Sequence, residues 1–358
     1  MIGRQFGALS GVAMTLVVLN HAITLGLAGP GLVGEAPPAG VWGGLLTVLQ
    51  QLGIVFAVPT FFFISGCFAA YAGQSSNLGQ TYKTTLSRLR SIVLPYVLWS
   101  VVFYALLAVQ QLSGYPYPWL QSYSLLDHVK HLIVGYPYHF VPLLVFWYLL
   151  SPLLARYGRR YGVWILLAVA AYQVVLIALH YPVMFGAQLP ESLRVLIPPV
   201  IGRSLADWAI YFPLGVIYSL NARSVAARLQ PMKWVFLAVT AALFVVVCLH
   251  ELGFFRFPLA RILCPVALMG LLPLIQRNKI PLVETFEWIG KCSYGFYLTH
   301  LVAINLAIML IMAVAPTLLG AQAVAQPLLF AVGMGGPALL MVGAAKLPIR
   351  SAYRYVFG

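Results

Sequence analysis

Residues 7–28 read GALSGVAMTLVVLNHAITLGLA, with no Asp, Glu, Lys or Arg and one histidine, His21. As a helix this stretch covers about 33 Å, enough to cross a hydrocarbon core of ~30 Å. Windows of the same kind recur at 52–73, 91–112, 138–156, 162–180, 204–220, 233–250, 257–276, 288–313 and 322–346. Their spacing predicts an all-α, polytopic transmembrane bundle of about ten spans. The first apolar run exceeds the ~7–15 residues of a signal-peptide core, so no cleavable leader is read, although Gly26-Leu27-Ala28 imitates a cleavage site. Without an internal repeat or a long polar linker, residues 1–358 are read as one integral-membrane domain.

Composition agrees. The chain has 358 residues, 62% hydrophobic and 8% charged, whereas soluble domains carry about 25% charged residues. Soluble, disordered and fibrous classes are excluded. The balance of 21 Lys+Arg against 7 Asp+Glu would point to nucleic acid in a soluble protein. In a membrane bundle it reads as the positive-inside rule, with no nucleic-acid partner. Alternate loops collect 16 of the 21 basic residues, among them Arg4, Arg88, Arg90, Arg156, Arg159, Arg160, Arg277, Lys291 and Arg354. That face is assigned to the cytoplasm together with both termini, in keeping with an even number of spans. It suits anionic lipid headgroups and a polyanionic cytosolic substrate. Of the acids, only Glu284 and Glu287 fall on it.

Cys67, Cys248, Cys264 and Cys292 lie in apolar stretches without CxxC spacing, so neither a disulfide framework nor a zinc site is expected. HExxH and carboxylate pairs at ligand spacing are absent, and no bound metal is expected. A dinucleotide-type glycine loop is missing too. Glycines 3, 7 and 11 form a small-xxx-small series for close helix packing.

Ionisable groups inside spans are costly to bury and default to function. His21 lies 14 residues into its window, about 21 Å from the cytoplasmic end and beyond the midplane. His139, Arg203, Asp207 and Arg261 fall at outer ends of other spans and are expected to converge with His21 on a polar cavity. His300 lies further inward. His128 and His131, flanking Lys130, read as solvated loop, and His180 and His250 as interfacial residues.

Five blocks resemble the integral-membrane acyltransferase 3 family, which O-acylates cell-surface sugars. Leu9-Ser10-Gly11-Val12-Ala13 and the apolar run to His21 resemble its opening L-R-G-x-A and histidine. Phe61-Phe62-Phe63-Ile64-Ser65-Gly66 matches its F-F-x-x-S-G signature. Arg88-Leu89-Arg90-Ser91-Ile92-Val93-Leu94-Pro95-Tyr96 resembles its basic-then-proline approach to the third span. Tyr138-His139-Phe140-Val141-Pro142-Leu143 with Tyr148-Leu149-Leu150-Ser151-Pro152 is similar to its fourth span. Gly290-Lys291-Cys292-Ser293-Tyr294-Gly295-Phe296-Tyr297-Leu298-Thr299-His300 is similar to its late G-K-x-S-Y-x-x-Y-L-x-H block. The blocks run in family order from residue 9 to about 300. One position departs: the family places an Arg or Lys, then ten residues, then the histidine, where this chain has Ser10, and Arg4 is the nearest basic side chain to stand in.

The resemblance implies a membrane O-acyltransferase that moves an acetyl or related acyl group from acyl-coenzyme A to a glycan hydroxyl. It implies catalytic His21, either as general base or by activating another nucleophile. Imidazole titrates near neutrality and fits the first role. No Ser/His/Asp spacing and no Gly-x-Ser-x-Gly elbow is present. His139 and Ser65 are the further catalytic candidates, with Tyr294 and Tyr297 as hydroxyl donors or relays. Arg88, Arg90, Lys291 and Tyr294 are the candidates for holding the donor, since arginine's planar fork suits phosphate oxygens. Arg203, Asp207, Arg261 and His300 are the candidates for the acceptor. The donor is a substrate, and no resident cofactor is expected. Partners are membrane lipids, a glycan or lipid-linked glycan, and polysaccharide synthesis or export machinery. The location is the bacterial cytoplasmic (inner) membrane. Two rival readings stay open: a transporter or flippase of a lipid-linked glycan, and a non-catalytic membrane subunit of a polysaccharide export system.

Overall fold

The computed structural model describes residues 2–72, 77–113, 124–134, 140–182, 190–346 and 350–358, which are helices and their connections without a strand. The first helix, α1, runs Ile2–Leu32. Next, α2 (Gly40–Leu52) continues through one π-helical turn, Gly53–Ala57, into α3 (Val58–Ala72). Then come α4 (Leu78–Leu112), the short α5 (Leu125–Val134) and the 41-residue α6 (Phe140–His180). A cluster of shorter helices follows: α7 (Gly202–Trp208), α8 (Tyr211–Leu220), α9 (Ala222–Leu229), α10 (Lys233–Glu251) and α11 (Ala260–Leu271). The last are α12 (Val283–Lys291), α13 (Ser293–Val314), α14 (Gln322–Lys346) and α15 (Arg350–Phe357).

Seven helices among the described residues are long and apolar enough to cross a bilayer, and Tyr211–Leu220 and Ala260–Leu274 are shorter apolar helices. Over the described residues each of the ten windows of the sequence is mainly helical. Two of them, 138–156 and 162–180, lie together on α6, which departs from helical geometry at Tyr161 (φ −116°, ψ 15°). The window 204–220 is broken between α7 and α8. In hydrocarbon a broken helix must find other partners for its backbone. Here buried Gln173 of α6 supplies them, its Nε2 donating to the Ala206 carbonyl (2.9 Å) while its Oε1 accepts from the Ile210 N–H (3.0 Å).

The chain divides into two compact units. The first comprises Met1–Ala13, Val55–Leu89 and His139–Glu287. Lipid tails are as apolar as side chains, so helices here are held by close packing and hydrogen bonds. At α3 and α8 the backbones approach closely from both sides: a Cβ on Gly66 would strike the Phe212 carbonyl, and one on Gly215 would strike the Phe63 carbonyl. Around this seam Phe62, Phe63, Trp147, Tyr211 and Phe212 are buried, with Trp147 stacked on Phe212 at 6.1 Å. Of the glycine series on α1, Gly11 abuts the Phe286 backbone while a Cβ on Gly7 would meet nothing within 4 Å, so only part of that series serves close packing.

The second unit comprises Met14–Ile54, Arg90–Tyr138 and Trp288–Gly358. The middle of α1 is enclosed here. A Cβ on Gly53 would come within 2.5 Å of the Asn20 side chain, and Gly333 of α14 packs against Val18 and Ile304. The carboxyl-terminal α15 is tied down by Trp99, whose indole N–H donates to the Val356 carbonyl (2.8 Å), and by buried Phe357.

Candidate active site

His21 and His300 face one another inside the second unit, their ring centroids 5.2 Å apart. His21 is half-buried and His300 is fully buried. The next turn of α13 orients His300, whose Nδ1 lies 2.8 Å from the Phe296 carbonyl. A carbonyl only accepts, so Nδ1 carries the hydrogen and Nε2 of a neutral ring presents its lone pair. That Nε2 is buried with no hydrogen-bond partner in the structure. Tyr297 lies beside the pair, its ring 6.3 Å from that of His300.

Amides surround this part of α1. Gln50 of α2 donates to the Thr24 hydroxyl (2.9 Å). Gln322 of α14 donates to the Gly26 carbonyl (3.0 Å), and Gln326 donates to Gln322 (2.8 Å) and the Ile23 carbonyl (3.5 Å). Five residues beyond His300, Asn305 accepts from Gln110 of α4 (3.2 Å) and donates to Leu301. Polar side chains of α2, α13 and α14 thus reach the part of α1 that carries His21, and α4 is tied to α13 beside them.

Arg203, Asp207 and Arg261 belong to the first unit, where they gather with each other. Tyr181 donates to Asp207 (3.0 Å) and is hydrogen-bonded by Arg203, while Arg203, Arg261 and His180 all act electrostatically on Asp207. Arg261 also pairs with Glu251 at 3.7 Å. Burial, then the Asp207 charge, pushes the Tyr181 hydroxyl above its ordinary value. The sequence reading missed Tyr181 and took His180 for an interfacial residue. The only available signal was their position, at and one residue past the end of α6.

Also in the first unit, Ser65 of α3 is hydrogen-bonded to the Tyr148 hydroxyl of α6, on which Arg88 of α4 acts electrostatically. Three sequence blocks that lie far apart in the chain thus meet at Tyr148. Arg90, in the second unit, and Lys291 are exposed, as is Arg88. Tyr294 donates its hydroxyl to the Ile92 carbonyl (2.6 Å), tying α13 to α4, and its ring stacks on Tyr297. His139 lies outside the described residues. His128, read from sequence as solvated, is half-buried and hydrogen-bonded to Tyr104.

Arg4, the nearest basic side chain to Ser10, is engaged elsewhere in the first unit. Its guanidinium pairs with Glu287 at 3.6 Å, and Arg277 grips the same carboxylate with contacts of 2.5 and 3.0 Å. That bond holds the Arg277 guanidinium above its ordinary value. Arg4 also stands 17 residues before His21, about 26 Å along the helix.

No group of three or more His, Cys, Asp or Glu side chains that could hold a metal occurs among the described residues. A family model described as an acyltransferase domain, that of the acyltransferase 3 family, matches residues 7–344. The chain belongs to that family: it is a multi-pass membrane acyltransferase, and the match runs across both units. No curated protein and no solved structure matches it.

Proposed function

We propose that this chain is an O-acetyltransferase of the bacterial cytoplasmic membrane, moving acetyl from acetyl-coenzyme A to a hydroxyl of a cell-surface or exported glycan. The observation that carries the reading is the His21–His300 pair enclosed by amides within the membrane-spanning part of a family acyltransferase. In the reaction the glycan oxygen attacks the thioester carbonyl, a C–O bond forms and the C–S bond breaks. His21 takes the hydroxyl proton and returns it to the leaving thiolate, so the products are an acetyl ester and coenzyme A thiol. Exposed Arg88, Arg90 and Lys291 fit the donor's phosphates, with charge-assisted contacts at the cytoplasmic side. Ser65, held by Tyr148, offers a hydroxyl, and Arg203, Asp207 and Arg261, with Tyr181, offer the hydrogen-bond donors and acceptors that a glycan needs.

A general base contributes about 10²–10⁴-fold in rate. His21→Ala is therefore expected to reduce glycan acetylation by that factor at normal abundance in the membrane. His21→Gln keeps much of the volume but cannot exchange a proton near neutrality, and is expected to lose as much. Mass spectrometry of the surface glycan from deletion cells carrying each variant makes the measurement. Wild-type acetylation by the glutamine variant removes His21 from the chemistry.

A further inference from the structure

Buried polar atoms without partners are rare, because each costs roughly the desolvation of that group. In the second unit the buried, partnerless atoms include Gln51 Oε1, Gln110 Oε1, Gln326 Oε1 and His300 Nε2. Three are amide carbonyl oxygens. The fourth is a ring nitrogen whose hydrogen is on the far side, against Phe296. All four therefore accept hydrogen bonds, and the ligand that satisfies them donates.

Two of the four are placed against α1: Gln326 bonds the Ile23 carbonyl, and the ring of His300 lies against that of His21. Gln110 bonds Asn305, about one and a half turns from His300 on α13. With hydroxyl hydrogen bonds of ~2.8 Å and rings 5.2 Å apart, the two histidines can each engage a hydroxyl of one sugar on neighbouring carbons.

We propose that His300 is an acceptor-positioning residue: its Nε2 receives a hydrogen bond from a second hydroxyl, vicinal to the one at His21, and so selects which glycan oxygen is acylated. This rests on the acyl-transfer reading and adds that the acceptor is a vicinal diol whose register His300 fixes. His21 handles the transferred proton and His300 holds the neighbouring hydroxyl in place. A site built to hydrogen-bond a hydroxyl discriminates strongly, since a missing partner leaves a buried group unpaired.

The test maps O-acyl positions on the surface glycan of deletion cells carrying wild-type protein, His300→Asn, His300→Phe or His300→Leu, with membrane abundance measured for each. Asparagine can donate to the carbonyl one turn back, as Asn305 does to Leu301 at 2.8 Å, and keeps an acceptor oxygen. H300N is expected to retain the wild-type position at a rate within about threefold. H300F is expected to fall about 10- to 100-fold, with the remaining acyl groups spread over more than one hydroxyl. H300L gives the same reading if the larger ring prevents insertion. Wild-type amount and position from an abundant H300F or H300L overturns the assignment, and so does H300N behaving like H300F. If wild-type and empty deletion cells carry the same O-acyl pattern, the acyl-transfer reading itself falls, and this inference with it.

Discussion

Tyr148 drew no individual notice in the sequence, where it is one of 20 tyrosines. In the structure it links Ser65 by a hydrogen bond and lies within the electrostatic reach of Arg88. A buried neutral hydrogen bond contributes about 0.5–1.5 kcal/mol. If Ser65 works through Tyr148, Tyr148→Phe and Ser65→Ala each remove the same interaction, and the double variant loses little more than either single one. A double-mutant cycle on acetylation rate is expected to show coupling of about 1 kcal/mol. Independent, additive losses would separate the two side chains. Residues such as these defeat sequence reading for a geometric reason. Counting along a span gives depth, and that is what singles out His21 in the sequence. Depth says nothing of the direction a side chain takes around its helix. That is why span position alone did not pair His21 with His300, or Asp207 with Tyr181 and His180. The window edges also mislead: α13 starts at Ser293 rather than 288, so His300 is only seven residues into it.

Elements were far more legible, because an apolar run of about 20 residues has few alternatives to a helix in lipid. What the runs conceal is where helices touch. The Gly66–Gly215 seam joins α3 to α8 with each glycine against the partner's backbone, where nothing can yield. Adding a methyl group there is overpacking, which costs about 1–3 kcal/mol. Gly66→Ala and Gly215→Ala are expected to lower the melting temperature of the purified protein, and to lower its abundance. Gly7→Ala is the control: nothing lies within 4 Å of its Cβ, and alanine is the better helix former by ~1 kcal/mol. Unchanged melting for both seam variants would mean that α3 and α8 part more easily than their backbone contacts imply. The break between α7 and α8 was equally hidden, because the run 204–220 stays apolar through it. Only Gln173, a lone amide on α6, hints that some backbone nearby needs partners.

At the scale of the whole molecule the question is how many times the chain crosses. Seven long apolar helices taken singly would leave the termini on opposite sides. The charge count argues otherwise, with 16 of 21 basic residues in alternate loops that include both ends. The length of α6 reconciles the two. Its 41 residues would extend about 60 Å, twice the hydrocarbon thickness, so α6 cannot cross once as a straight rod. It departs from helical geometry at Tyr161, beside exposed Arg156, Arg159 and Arg160. A turn there on the cytoplasmic face would make α6 two spans. The broken pair α7 and α8 reaches about 28 Å over residues 202–220, and Ala260–Leu274 about 22 Å; counted as spans, these two would bring the number to the expected ten. Within the first unit, Arg4, Arg277 and Glu287 meet in one ion-pair group, as residues assigned to a common face should. Reporter fusions at residues 4, 158 and 354 are expected to read cytoplasmic, and a fusion near 120 external. A cytoplasmic reading at 4 with an external one at 354 would restore an odd count. An external reading at 158 would mean that the arginines by Tyr161 do not mark a cytoplasmic turn, and the orientation of α6 and of every later span would have to be reversed.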